Sequence, residues 1–264
     1  MKFTIGITTY NRLDTLKRMS ASLIATTNVE QCNIRIYDDR SSDFSIIELE
    51  EIFPTAAEII LREKNLGADK NMRQMFVDFL NTDDEYLFIA DADLIFHPEW
   101  FNFFLKHKVC DILSLYNSSL HDREKAVPIA EDVLIKKQHI GAAGAIIKRK
   151  IVELIINNVP PSRAYDWDWS NFLSKMGYPL FVSNRSYVQH IGVIGTNNDT
   201  LAPLDFGLNF LSGSLANELN LIKFFQDAII SKDTFISGNF LLLLYRKSRS
   251  FFKLAKWYLK NYRK

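Results

Sequence analysis

Tyr86-Leu87-Phe88-Ile89-Ala90, followed at once by Asp91-Ala92-Asp93, is the stretch on which the reading of this chain turns. An unbroken apolar run of that length suits a central strand of a parallel sheet covered on both faces by helices. Side chains two apart on an extended chain point the same way, so Asp91 and Asp93 present their carboxylates together where the strand ends. Two like charges so placed are unfavourable unless a cation or an array of donors neutralises them. Hard oxygen ligands with open positions suit Mg2+ or Mn2+, the ions that clamp phosphates. The plainer alternative is a solvated Asp turn before a helix near Pro98, and the position directly after an apolar strand argues against it.

Strand and helix alternate on the N-terminal side of this stretch. Phe3, Ile5 and Ile7 alternate with Thr4, Gly6 and Thr8, a period of two that predicts a strand. Leu13, Leu16, Met19 and Leu23 recur at helical spacing. Residues 33–37 and 58–61 read as further strands, 46–53 as a helix, and 68–80 as a helix with Met72, Met75, Phe76, Phe79 and Leu80 on one face. Pro98 suits the first turn of the next helix. The order implies an α/β fold with a mostly parallel sheet and helices on both faces, which binds ligands beyond the carboxyl ends of its strands. The second half is less regular. A loop at Gly141-Ala142-Ala143-Gly144 precedes a helix over 150–156, another helix over 167–176 stops at Gly177, and residues 187–191 end the core with His190.

The 264 residues allow one domain with an appendage, and a net charge of +1 names no nucleic-acid partner. Cys32 and Cys110 have no zinc-ligand spacing and read as reduced, buried thiols. The N-terminus shows no signal-peptide core, and the longest clean apolar run, residues 240–245, is too short to span a bilayer. A cytoplasmic protein is expected. Charge is unevenly spread: residues 234–264 hold eight basic and no acidic residues, leaving 24 basic against 31 acidic in the rest. In the tail Phe251, Leu254, Ala255, Tyr258 and Tyr262 follow helical spacing among lysines and arginines. Such a helix suits an anionic membrane surface, and it equally suits docking on the catalytic domain or on a second copy in a homo-oligomer.

Ile7-Thr8-Thr9-Tyr10-Asn11-Arg12, Tyr37-Asp38-Asp39-Arg40-Ser41-Ser42-Asp43, Asn65-Leu66-Gly67 and Asp91-Ala92-Asp93 come in order, each at a strand end. Together they resemble the motifs of inverting GT-A-fold glycosyltransferases, nearest to the large family 2-like group that builds bacterial surface polysaccharides. The resemblance covers roughly residues 3–195. It implies a GT-A catalytic domain over 1–204, with a nucleotide-binding half to about 95 and an acceptor-binding half from about 96, and a helical, basic extension over 205–264. It also implies a nucleotide-sugar donor, first of all a UDP-sugar, and a glycan or lipid-linked acceptor.

Residue roles follow from the same resemblance. Thr8, Tyr10 and Arg12 would line the nucleotide pocket, with Asp39 bonded to the base or ribose. Asn65, Lys70, Arg73 and Asp91 would complete the donor contacts. The family's Arg-Asn order is not kept in the 65–73 segment, so either Lys70 or Arg73 is available to phosphate. Asp93 and Asp91, joined by His190, would hold Mn2+ or Mg2+. Tyr165-Asp166-Trp167-Asp168-Trp169 resembles the family's Glu-Asp-x-Asp-Leu segment with Tyr165 in place of the Glu, which makes Asp166 the general base and Asp168 its support. Trp167 would meet the acceptor, and of Trp167 and Trp169 one is expected to stack on sugar and one to be core. Gly141 and Gly144 suit a loop close to the donor sugar. Two other classes are a sugar nucleotidyltransferase, against which the lack of a Gly-rich loop after the first strand argues, and a non-catalytic nucleotide-sugar-binding scaffold.

Overall fold

In the computed structural model, residues 2–118, 121, 127–129, 133–192 and 205–238 are described. The expected basic helix of the tail and the apolar run at 240–245 lie outside them. The chain divides into two compact units. The first holds residues to Ile191 together with 205–220, and the second includes Gly192 and the described residues from Leu221 onward.

The first unit is built on a nine-stranded sheet. Strands β1 (Phe3–Thr9), β2 (Asn33–Asp38), β3 (Glu58–Leu61) and β4 (Tyr86–Asp91) pair in parallel in the order β3-β2-β1-β4. Beyond β4 follow β9 (Ala145–Lys148), β6 (Ile112–Ser114), β10 (Leu180–Ser183), β8 (Leu134–Lys137) and β7 (Val127–Ile129). Only β9 and β8 run against the other strands, so the sheet is mostly parallel in direction. A separate two-stranded ribbon pairs β5 (Leu94–Phe96) with β11 (Val188–His190).

The alternation of side chains sorts the sheet's two faces. Phe3, Ile5 and Ile7 of β1 with Phe88 and Ala90 of β4 face one core, covered by α1 (Leu13–Ile24), α2 (Ile46–Ile52) and α4 (Trp100–His107). Leu87 and Ile89 face the other, against α3 (Ala68–Leu80), α5 (Arg149–Asn158) and α6 (Tyr165–Lys175). On the first face Phe88 stacks on Trp100 with centroids 4.7 Å apart, and both are fully buried. Each such aromatic removes a large apolar area from water, which is why an unbroken apolar β4 becomes the spine of the fold.

Local signals set the helix ends. Ser45 and Glu48 form a reciprocal capping box at the start of α2. Gly177, with φ at +84°, ends α6 in the left-handed region, as the sequence predicts. The segment 205–220 is tied to the first unit by Leu208 N–H on the Asn117 carbonyl and by the Asn217 amide on the Phe96 carbonyl. Helix α7 (Leu215–Gly238) starts there and continues into the second unit, where Lys223 and Asp227 pair one turn apart at 3.7 Å. Among the described residues no helix is long and apolar enough to cross a membrane.

Candidate active site

The carboxyl ends of the parallel strands carry the candidate site. Thr8 on β1 stands in register with Asp91 on β4, and its hydroxyl donates to Asp91 Oδ1 at 3.1 Å. The chain then turns through Ala92, whose N–H bonds the Thr8 carbonyl, and places Asp93 at the head of β5. Because β11 pairs antiparallel with β5, His190 lies opposite Leu94, and Ile191 N–H closes on the Asp93 carbonyl at 2.8 Å. This ribbon is what brings a histidine from far along the sequence to the two aspartates.

Asp91, Asp93 and His190 each offer one ligand atom, and these atoms lie within 4.8 Å of one another. His190 Nδ1 is 3.2 Å from Asp93 Oδ1, an ion-pair contact on the buried side of the carboxylate. The other oxygen, Oδ2, accepts from Arg12 Nη1 at 2.9 Å. Two carboxylates and an imidazole whose ligand atoms converge in this way fit a site for a cation such as Mn2+ or Mg2+. The Tyr116 ring lies edge-on to the imidazole, with centroids 5.2 Å apart, and fixes its plane.

The electrostatics match this geometry. Burial and then the neighbouring Asp93 charge raise the Asp91 carboxyl above the usual carboxylate range. Burial also opposes ionisation of Asp93, but His190 and Arg12 outweigh it and hold that carboxyl below the usual range. For His190, burial disfavours the charged form, yet Asp93 and Asp91 prevail and push the imidazole up to about 9. The pocket is therefore anionic enough to keep a nearby histidine protonated when no metal is bound.

The residues expected on the nucleotide side form a locked pair of loops. Asn11 and Arg12 adopt positive φ of 54° and 64° ahead of α1. Asn11 N–H donates to Ser41 Oγ at 2.7 Å, Ser42 N–H donates to Asn11 Oδ1 at 2.8 Å, and Arg12 N–H donates to Asp43 Oδ2 at 2.7 Å. Asp38 accepts from both the backbone and the hydroxyl of Ser41. Buried Asp39 takes the N–H of Leu66 on one oxygen at 2.6 Å and that of Gly67 on the other at 2.8 Å. Asn65 Oδ1 also accepts from Gly67 N–H. Tyr10 stands exposed beside these loops.

The cations expected at phosphate both sit on α3. Lys70 is exposed on the first turn of α3. Arg73 points to the Ile156 carbonyl at 3.5 Å and lies beside the Tyr165 hydroxyl, between helices α5 and α6. The cation that meets the acidic pair is Arg12.

Asp166, on the first turn of α6, is half-buried. Burial pushes its carboxyl up to about 6, helped by the charges of Asp69 and Asp91 and opposed by the N–H groups of Trp167 and Ala142. A Cβ on Gly141 would lie 3.9 Å from Asp166 Oδ2 and 3.0 Å from the His121 ring, so the missing side chain leaves open the space between them. Asp168 faces solvent. Trp169 is fully buried, whereas Trp167 is 37% exposed and sits between the rings of His121 and His139, each 5.3 Å away. Gly144 serves the fold: its φ is +77°, and a Cβ there would come 2.6 Å from Val188.

Sequence reasoning passed over Tyr116, His121, His139 and Asp69. None of these carries a motif; only the long-range contacts of the folded chain place them at the site.

Comparison with known proteins agrees with this architecture. Residues 4–108 match the family model for glycosyl transferase family 2. No curated protein is matched. Among solved structures, S. aureus TarS 1–349 in complex with UDP-GlcNAc is similar at 16% identity with a TM-score of 0.54, over 71% of this chain and 58% of that one. TarS 1–349 without that ligand gives 15% identity and 0.54, over 71% and 60%. The chain thus spans about three-fifths of the TarS fragment it matches. The mannosyltransferase PcManGT from Pyrobaculum calidifontis in complex with GDP-Man and Mn2+ is 14% identical with a TM-score of 0.51, over 86% of this chain and 64% of that one. Residues 4–108 are thus similar to glycosyl transferase family 2, and the chain's architecture is the GT-A fold of such glycosyltransferases.

Proposed function

We propose that the chain is a metal-dependent, inverting glycosyltransferase that moves a sugar from a nucleotide-sugar, first of all a UDP-sugar, to a hydroxyl of a glycan or lipid-linked acceptor in surface-polysaccharide synthesis. The observation that carries this reading is one site holding both the Asp91–Asp93–His190 cluster and a carboxyl, Asp166, pushed up to about 6. The TarS structure was determined with UDP-GlcNAc and PcManGT with GDP-Man and Mn2+, which supports a nucleotide-sugar and a divalent ion here.

Asp93 and His190, with Asp91 beside them, would hold the cation. When bound, that ion supplies positive charge where the nucleoside diphosphate leaves. Thr8 keeps Asp91 oriented through its hydroxyl. Tyr10 offers an exposed aromatic face to the base. Asp39 fixes the Leu66–Gly67 backbone beside the nucleotide. Asp166 accepts the proton of the attacking hydroxyl, and a carboxylate titrating near neutral pH is a stronger base than an ordinary one. Trp167 gives the acceptor sugar a surface to lie on. The basic residues of 246–264 would hold the enzyme at the inner face of the membrane, near lipid-linked acceptors.

The test is Asp166→Asn in an assay of transfer from UDP-GlcNAc, UDP-glucose, UDP-galactose and GDP-mannose with Mn2+. Loss of turnover with donor affinity kept within about threefold supports the assignment. Undiminished turnover removes Asp166 from the role, and no turnover of any donor by the wild type favours a non-catalytic subunit.

A further inference from the structure

The residue before the N-terminus of α6 is Ala164, which has no side chain able to cap it. The acceptor for Tyr165 N–H comes instead from another helix: Asp69 Oδ1, on the first turn of α3, lies 3.1 Å away. Tyr165 immediately precedes Asp166. The start of α3 is in turn fixed from the nucleotide side. Asp39 grips Leu66 and Gly67, the Gly67 carbonyl accepts Asn71 N–H at 2.9 Å, and the buried Asn71 amide donates to the Tyr37 carbonyl at the end of β2. A continuous set of short polar contacts therefore runs from the end of β2 through the first turn of α3 to the first turn of α6.

We propose that Asp69 is a positioning residue for Asp166: it caps α6 from outside and so ties the placement of the base to the loop beside the donor nucleotide. This rests on the transferase reading only for its catalytic consequence; the cap itself does not depend on it. Asp69 also contributes negative charge to Asp166, as does Asp91 at the end of β4. Among the described residues, other titratable groups at this turn are Asp168 on α6 itself, His121 and His139, which flank Trp167, and Arg73, beside Tyr165. Both roles of Asp69 act in one direction. The cap holds the carboxylate in place, and the like charge makes that carboxylate more basic.

Two variants separate these roles. Asp69→Asn keeps an oxygen for Tyr165 N–H and removes the charge, whereas Asp69→Ala removes both. The first measurement is amide hydrogen exchange of the full chain over residues 165–170. Faster exchange is expected in the Ala variant and near-wild-type exchange in the Asn variant, and unchanged exchange in the Ala variant overturns the cap. The second is the pH dependence of UDP release from UDP-GlcNAc with Mn2+, or from whichever UDP-sugar the wild type turns over. The Ala variant is expected to lose about tenfold or more in kcat with donor affinity held. The Asn variant should recover most of that rate, with its rising limb about half a pH unit lower. Wild-type kcat and pH profile in both variants overturn the positioning role, as does a parallel loss of donor affinity. An inactive wild type with the exchange pattern intact sinks the transferase reading and leaves the cap standing.

Discussion

Arg12 Nη1 lies 2.9 Å from Asp93 Oδ2 and forms an ion pair with the acidic cluster, while Asp93 Oδ1 faces His190 Nδ1 at 3.2 Å. An arginine there neutralises the pair when no cation is present, and it repels a cation that arrives. Removing it by Arg12→Ala should tighten binding of Mn2+ alone by about three- to tenfold, since a nearby like charge is lost. Titration of free Mn2+ by electron paramagnetic resonance reads this directly. Weaker binding in the variant would mean that Arg12 orders the site instead of competing for it.

Asp166 sets the expected pH dependence. Its carboxyl titrates at about 6 in the folded protein, so the fraction able to accept a proton grows as pH rises through that value. Turnover under saturating donor should climb about tenfold per unit below pH 6 and level off above it. A kcat profile that is flat from pH 5 to 8 would disconnect Asp166 from proton transfer.

The same shift has a stability consequence. A carboxyl whose folded pKa is raised favours the folded state below its ordinary pKa and loses that contribution as pH rises through about 6. Asp166→Asn should therefore leave stability at pH 4 nearly unchanged and raise it at pH 7.5 by at most about 3 kcal/mol. Urea unfolding at the two pH values checks this, and a variant destabilised at pH 7.5 would show that the ionised carboxylate is held by bonds stronger than its burial.

Asp39 spends both carboxylate oxygens on the Leu66 and Gly67 N–H groups. Asp39→Ala leaves those donors without partners and should lower stability by about 1–3 kcal/mol. Donor affinity should fall by about tenfold or more, because the loop beside the nucleotide loses its anchor. Calorimetry with UDP gives the second quantity; full UDP affinity in a destabilised variant would confine Asp39 to a structural role.

The first half of the fold was legible because its strands and helices are long enough to show a period. The helix expected over 68–80 is α3, and the apolar run ending at Ala90 lies within β4. The strands beyond residue 110 have only three or four residues each, too few for a period to show, so the antiparallel β9 and the ribbon of β5 with β11 went unread. The grouping of Asp91, Asp93 and His190, a candidate metal site, was legible through Asp91 and Asp93, which share a strand end, and through a resemblance at His190. Arg73 shows the limit of such reading. Its place in the sequence offers it to phosphate, but α5 and α6 pack so that its guanidinium turns to the Ile156 carbonyl. Asp69 is the converse case: nothing in its neighbourhood announces Tyr165, which lies 96 positions further on.

The proposed chemistry requires a divalent ion held between the end of β4 and the end of β11. Crystals grown with UDP and Mn2+, measured for anomalous scattering, address this most directly. The expected result is a manganese peak within coordinating reach of Asp93 and His190, with the UDP phosphates against it and Arg12 displaced from Asp93. Ordered UDP with no manganese at these residues, or manganese bound only elsewhere, would contradict it.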